Sequence, residues 1–111
     1  MAGKVIEIAD PILAEIVRRL VDEFRPERIY LFGSRARGDA TPDSDYDVLI
    51  VLDEPVERSY RYEQRASGVL WGIRWPVDVR VMSRDVFERK LSVVASLPAT
   101  IGREGNLLYA A

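Results

Sequence analysis

The chain reads as an α/β (α+β) domain in which helices flank a small mixed β-sheet, and three stretches of sequence predict this. Ile12, Leu13, Ile16, Val17, Leu20, Val21 and Phe24 recur at the spacing of a helix with one apolar face. The run YDVLIVL at 46–52 is almost unbroken in its hydrophobicity, as expected of a central strand covered on both faces. In VDVRVM at 77–82, Val77, Val79 and Val81 alternate with Asp78 and Arg80, the two-residue period of a strand with one apolar and one polar face. Strands separated by helical segments point to a mixed α/β architecture, and 111 residues suit one domain spanning 1–111.

The elements follow in order. Asp10-Pro11 supplies an N-cap and a proline at the first helical position, where a missing N–H costs nothing. The spacing predicts a helix from about 11 to 24, ended by Pro26. RIYLF at 28–32 is β-branched or aromatic and too short for a helix, so it predicts a strand ending at Gly33. GSRARGDATPDSD has no core periodicity and reads as a loop with one helical turn at Ser34 to Arg37. Asp53-Glu54-Pro55 closes the strand at 46–52.

A helix is predicted over 57–71, with Val56, Tyr60, Ala66, Val69 and Leu70 facing inward, although Gly68 and Gly72 weaken it. Pro76 introduces the strand at 77–82, and Ser83 caps a helix whose apolar positions are Val86, Phe87 and Leu91. The tail VVASLPATIGREGNLLYAA predicts a further short helix. After it, Leu107, Leu108 and Tyr109 are expected to form an edge strand of the core rather than an interface. Of the aromatic residues, Tyr60 and Trp71 are expected to be partly buried, and Tyr62 and Trp75 to be structural rather than stacked on a base.

Composition removes several chemistries. There is no cysteine and no histidine, which excludes thiol catalysis, disulfides, zinc sites built on those ligands, and histidine general bases. Sixteen basic and eighteen acidic residues leave a net charge of −2, so no broad cationic surface is available for a long nucleic-acid duplex. No apolar run approaches the roughly 20 residues of a membrane span, and a cytoplasmic protein is expected.

What remains is carboxylate chemistry. Asp45 and Asp47, at i and i+2 leading into a strand, point the same way, while Tyr46 and Val48 point the other. Two like charges held together call for compensation, and a bound cation supplies it. If the 77–82 strand lies beside the 46–52 strand, Asp78 brings a third carboxylate to the same place. An all-oxygen donor set favours Mg2+, with Mn2+ as the alternative. Gly33 permits close backbone approach after a strand, Ser34 offers a hydroxyl at the start of a helical turn, and Arg35 and Arg37 add cationic donors. Phosphate at one end and a divalent metal at the other describe a nucleoside-triphosphate site. Taken singly, each feature has a plainer reading: a turn flanked by aspartates, a strand-end glycine, an exposed Asp78, arginines paired with Asp39 or Asp43.

Taken together, GSRARGDATPDSDYD resembles the signature of the nucleotidyltransferase superfamily related to DNA polymerase beta: Gly33-Ser34, ten residues, then Asp45-x-Asp47, with a third carboxylate on a later strand. Within it the chain is similar to the minimal nucleotidyltransferases of MntA type. The resemblance implies the polymerase-beta-like fold and two metal ions, held by Asp45 and Asp47 and completed by Asp78. It implies that Gly33 and Ser34 bind the β- and γ-phosphates of ATP, with Arg35 and Arg37 steadying phosphate charge. It further implies transfer of AMP from ATP to a tyrosine of a helical HEPN-type toxin, with this chain as the antitoxin. Transfer to a small molecule or RNA, or non-catalytic neutralisation of a toxin by binding alone, are the alternatives.

Overall fold

A computed structural model describes residues 4–111. Residues 1–3 lie outside the described residues. The elements run β1 (Lys4–Val5), α1 (Pro11–Phe24), β2 (Arg28–Phe32), α2 (Ser34–Arg37), β3 (Tyr46–Leu52), α3 (Ser59–Val69), β4 (Val77–Ser83), α4 (Arg84–Lys90), α5 (Leu97–Glu104) and β5 (Asn106–Ala110).

Helix α1 begins where Asp10 Oδ1 accepts the N–H groups of Ile12 (2.9 Å) and Leu13 (3.3 Å). It ends at Arg25, whose left-handed backbone (φ 45°) turns its N–H onto the Val21 carbonyl, and Pro26 prevents continuation. Between them Leu13, Ile16, Val17, Leu20 and Phe24 are buried, the face that the spacing predicts.

The strands form a mixed sheet in the order β1-β5-β2-β3-β4, antiparallel throughout except for the parallel pair β3 and β4, which α3 joins as a crossover. Because β3 is central, its alternating side chains feed two cores. Tyr46, Val48, Ile50 and Leu52 pack with α1 and with Ala66 and Leu70 at the carboxyl end of α3. Leu49 and Val51 pack with Phe87 of α4 and Ile101 of α5 on the other face. The result is a sheet between two helical layers, with Val48, Leu49, Ile50 and Val51 wholly buried. At about 1.5–3 kcal/mol for each fully buried aliphatic side chain, this strand anchors the sheet.

Three expectations need correction. Helix α3 is shorter than 57–71, because the chain leaves the helix at Leu70 and reaches Gly72 at φ 92°. Tyr60 is 54% exposed and Trp71 85% exposed, not partly buried. Tyr62, Ala66 and Leu70 make the inward stripe, which leaves Tyr60, about 200° round the helix from Tyr62, facing solvent, while Trp71 lies beyond the helix in the turn. Finally, β5 is not an edge strand. Lys4 and Val5 pair with Ala110 and Tyr109 on its outer side, a strand too short to show a period, and β5 therefore lies inside the sheet with Leu108 and Tyr109 buried. Among the described residues no helix is long and apolar enough to cross a membrane.

Candidate active site

Strand pairing gathers the acidic residues at one end of the sheet. The antiparallel register of β2 and β3 sets Phe32 opposite Asp47, and the parallel register of β3 and β4 sets Asp78 beside Asp47. Residues directly paired across a sheet share a face, so Asp47 and Asp78 project together, with Gly33 immediately beyond Phe32. Asp45 stands two residues before Asp47 at the mouth of β3, exposed, whereas Tyr46 is turned into the core.

Electrostatics show the same proximity. Partial burial raises the Asp47 carboxyl above the ordinary aspartate range, and the charges of Asp78 and then Asp45 raise it further, against the pull of Arg37 and Arg80. A divalent cation would relieve that repulsion, and the donor set of three carboxylates suits Mg2+ or Mn2+. Among the described residues, however, no three acidic side chains are drawn together closely enough to make a preformed metal cage. The residues fit a metal in donor type and charge, and their side chains would have to gather on it.

The turn after β2 approaches Asp47 to contact. Gly33 has φ 75° and ψ −159°, a region reserved for glycine, and a Cβ placed on it would fall onto Asp47 Oδ2. Its carbonyl accepts the N–H groups of Ala36 (3.1 Å) and Arg37 (3.0 Å), which winds α2. Ser34, half-buried, is the first residue of that turn. Gly38, at φ 86°, closes it onto the Ser34 carbonyl.

The two arginines are placed differently. Arg37 is exposed and bonds Asp39 (3.3 Å) and Glu104 (3.4 Å), the first being the plainer reading allowed by the sequence. Arg35 is committed to the loop: its Nε and Nη2 donate to the Ser44 carbonyl (3.0 and 2.8 Å), and Nη2 also donates to the Pro42 carbonyl (3.2 Å). Its guanidinium lies over the Tyr46 ring at 4.0 Å. Beneath it, the Tyr46 hydroxyl donates to Asp10 Oδ2 at 2.6 Å. Burial, then that hydrogen bond and the Asp10 charge, push the Tyr46 hydroxyl up to about 12. Burial works against the Asp10 carboxylate, but the Tyr46 bond, the two α1 N–H bonds and the Arg35 charge outweigh it and leave Asp10 below its usual range.

Some contributors were not apparent from sequence. Arg80, paired in register with Leu49 and two residues beyond Asp78 on the same face, is a cation acting on Asp47, and the alternation of β4 could have suggested it. The second role of Asp10, 36 residues from Tyr46, carries no sequence signal. Trp75 donates its indole N–H to the Pro42 carbonyl (3.2 Å), a structural role as expected. A cavity of about 210 Å³ lined by Leu52, Asp53, Glu54, Pro55, Ser83, Arg84 and Asp85 opens at the opposite end of β3 and β4 and takes no part in this constellation.

Comparison with known proteins places this geometry in context. Residues 12–99 match the family model of the nucleotidyltransferase domain. A protein of Methanocaldococcus jannaschii, provisionally named a protein adenylyltransferase, is 34% identical over 100 residues, covering 87% of this chain and 94% of that one. A crystal structure from Sulfolobus solfataricus, provisionally assigned as a nucleotidyltransferase, matches with a TM-score of 0.57 and 32% identity over 70% of this chain and 69% of that one. A chain of the toxin–antitoxin complex MntA-HpeT matches with a TM-score of 0.63 over 89% of this chain and 72% of that one; at 22% identity this is a likeness of fold.

Proposed function

The chain belongs to the nucleotidyltransferase domain family, and on that premise we propose that it moves AMP from ATP to a tyrosine hydroxyl of a partner protein, a helical HEPN-type toxin, as the antitoxin of the pair in the cytoplasm. The observation that carries the reading is the register of Asp47 with Asp78, with Gly33 in contact on the other side of Asp47. The provisional name of the Methanocaldococcus relative supports protein as the acceptor, and the fold shared with a chain of MntA-HpeT supports the toxin.

In this reading Asp45 and Asp47 would hold the ion that accompanies the triphosphate, and Asp78 would join them in holding a second. Bound there, two divalent ions would neutralise phosphate charge and lower the pKa of the attacking hydroxyl. The rest falls to the chain. Gly33 and Ser34 receive the β- and γ-phosphates, the glycine by letting backbone approach without a side chain, the serine by its hydroxyl at the start of α2. Arg37, whose ion pairs among the described residues are the exposed ones with Asp39 and Glu104, can turn toward phosphate at little cost. Asp78, exposed beside Asp47, orients the incoming hydroxyl or accepts its proton. The acceptor oxygen bonds to the α-phosphorus, the bond from that phosphorus to the pyrophosphate oxygen breaks, and pyrophosphate leaves. No histidine is needed.

The test is incubation of the purified partner with this protein, labelled ATP and Mg2+, followed by intact mass measurement. One or more added AMP units on the partner, lost with Asp45→Asn or Asp47→Asn, are expected. Tight complex formation with no added mass would replace this reading with neutralisation by binding, and label appearing on RNA or a small molecule would replace the acceptor.

A further inference from the structure

Asp45 stands just outside the sheet, in an exposed loop, yet a metal ligand has to be held. The two peptide planes that flank its Cα are both pinned. The Tyr46 N–H donates to the Pro76 carbonyl at 3.0 Å, which fixes the plane after Asp45. The Ser44 carbonyl, which belongs to the plane before it, accepts both Nε (3.0 Å) and Nη2 (2.8 Å) of Arg35. Because peptide units are planar, fixing both leaves the direction of the Asp45 Cα–Cβ bond little freedom.

Arg35 is itself held from behind. Its guanidinium stacks on the Tyr46 ring at 4.0 Å, the Tyr46 hydroxyl reaches Asp10 at 2.6 Å, and Asp10 is the N-cap of α1. The Pro42 carbonyl ties the loop a second time, receiving Arg35 Nη2 and Trp75 Nε1, each at 3.2 Å. A planar fork is needed for this arrangement, since a lysine ammonium cannot stack on the ring and span both carbonyls with the same geometry.

We infer that Arg35, backed by Tyr46 and Asp10, is a positioning residue that sets the Asp45 carboxylate from the amino end of α1. The inference rests on Asp45 being a metal ligand, as proposed above, and it assigns to Arg35 a task other than binding phosphate. Residues that orient metal ligands typically change metal affinity by about 10–100-fold when removed.

The test compares wild type, Arg35→Met, Asp45→Asn and the double variant by calorimetric titration with the manganese complex of ATP, and with ATP in excess chelator. Arg35→Met should weaken the manganese complex about tenfold, leave metal-free ATP within about twofold, and add less than about twofold once Asp45 is already asparagine. In the metal-free protein, amide exchange at Ser44 and Asp45 should quicken while the β3 interior is unmoved. Should Arg35→Met prove poorly folded, Tyr46→Phe, which keeps the ring, should give a smaller loss in the same direction. Equal losses with and without metal, or a full loss added to that of Asp45→Asn, would overturn the inference in favour of direct phosphate contact. A silent Arg35→Met beside a strong Asp45→Asn overturns the positioning role alone, whereas a silent Asp45→Asn removes the reading of the site and this inference with it.

Discussion

The interior of β3 and its amino end make opposite uses of one strand. From Val48 to Leu52 every side chain is buried in apolar surroundings on one face or the other, and from Val48 to Val51 the backbone is paired on both sides. At Asp45 and Asp47 the same chain carries two carboxylates, one exposed and one half-buried, with a third alongside at Asp78. The apolar part fixes where the polar part stands, because register is set where burial is complete and a slip of one residue would turn Asp47 into the core. Stability and the proposed chemistry are therefore separable along β3, and substitutions can show how cleanly.

The largest effect on folding belongs to the interior. Ile50→Ala, at a wholly buried position, should cost about 2–5 kcal/mol in denaturant unfolding. A smaller loss would mean that the two cores share the load more loosely than their packing indicates. Gly33→Ala sits at the junction of the two regions and should cost about 1–3 kcal/mol from its backbone conformation alone, with further loss from displacing Asp47. If thermal unfolding of that variant matched wild type, the turn would not press against Asp47 as described.

Tyr46 joins the regions, and its contribution has a pH signature. Its folded-state pKa of about 12 lies above the usual 10, so the stability it confers is present below pH 10 and is lost as pH rises through about 12. Tyr46→Phe should lower stability by about 1.5–3 kcal/mol near neutrality, the scale of a hydrogen bond to a charged group, and flatten the alkaline decline. Chemical denaturation of both proteins from neutral to alkaline pH gives the comparison.

The smallest effect is opposite in sign. The folded state raises the Asp47 pKa, so its protonation favours folding, and that advantage disappears as pH rises through the folded value. Asp47→Asn should therefore stabilise the metal-free protein near neutrality, by no more than about 1 kcal/mol for a partly solvated group. A melting temperature below that of wild type would show that the carboxylate supports the fold, and the separation of the two regions would fail at that residue.

Much of this was legible in the residues. Helix α1 and strands β2 and β3 run over the residues that periodicity predicts, and Asp10 and Ser83 cap the helices they precede, because amphipathic spacing and capping are local. The moderate apolar content of α3 leaves the phase of its inward stripe open, and it is Tyr62 rather than the expected Tyr60 that packs on the core. Lys4–Val5 is too short to carry a period, and without it β5 could only be read as an edge. At the site, the acidic pair and the glycine before Ser34 stand within one loop and the strand it enters, whereas the bond from Arg35 to a carbonyl nine residues away has no local signal in the sequence.

By itself, then, the sequence determined most of the helical and strand segments, Lys4–Val5 excepted, and which side chains could carry metal and phosphate chemistry, since both depend on residue type and short spacing. Only the tertiary structure decided that Asp78 stands in register with Asp47, that Gly33 touches Asp47, and that Arg35 and Tyr46 link Asp45 to the start of α1. Those contacts join positions far apart along the chain, and their pairing is chosen by burial of the sheet as a whole, a cooperative quantity that no single stretch of sequence contains.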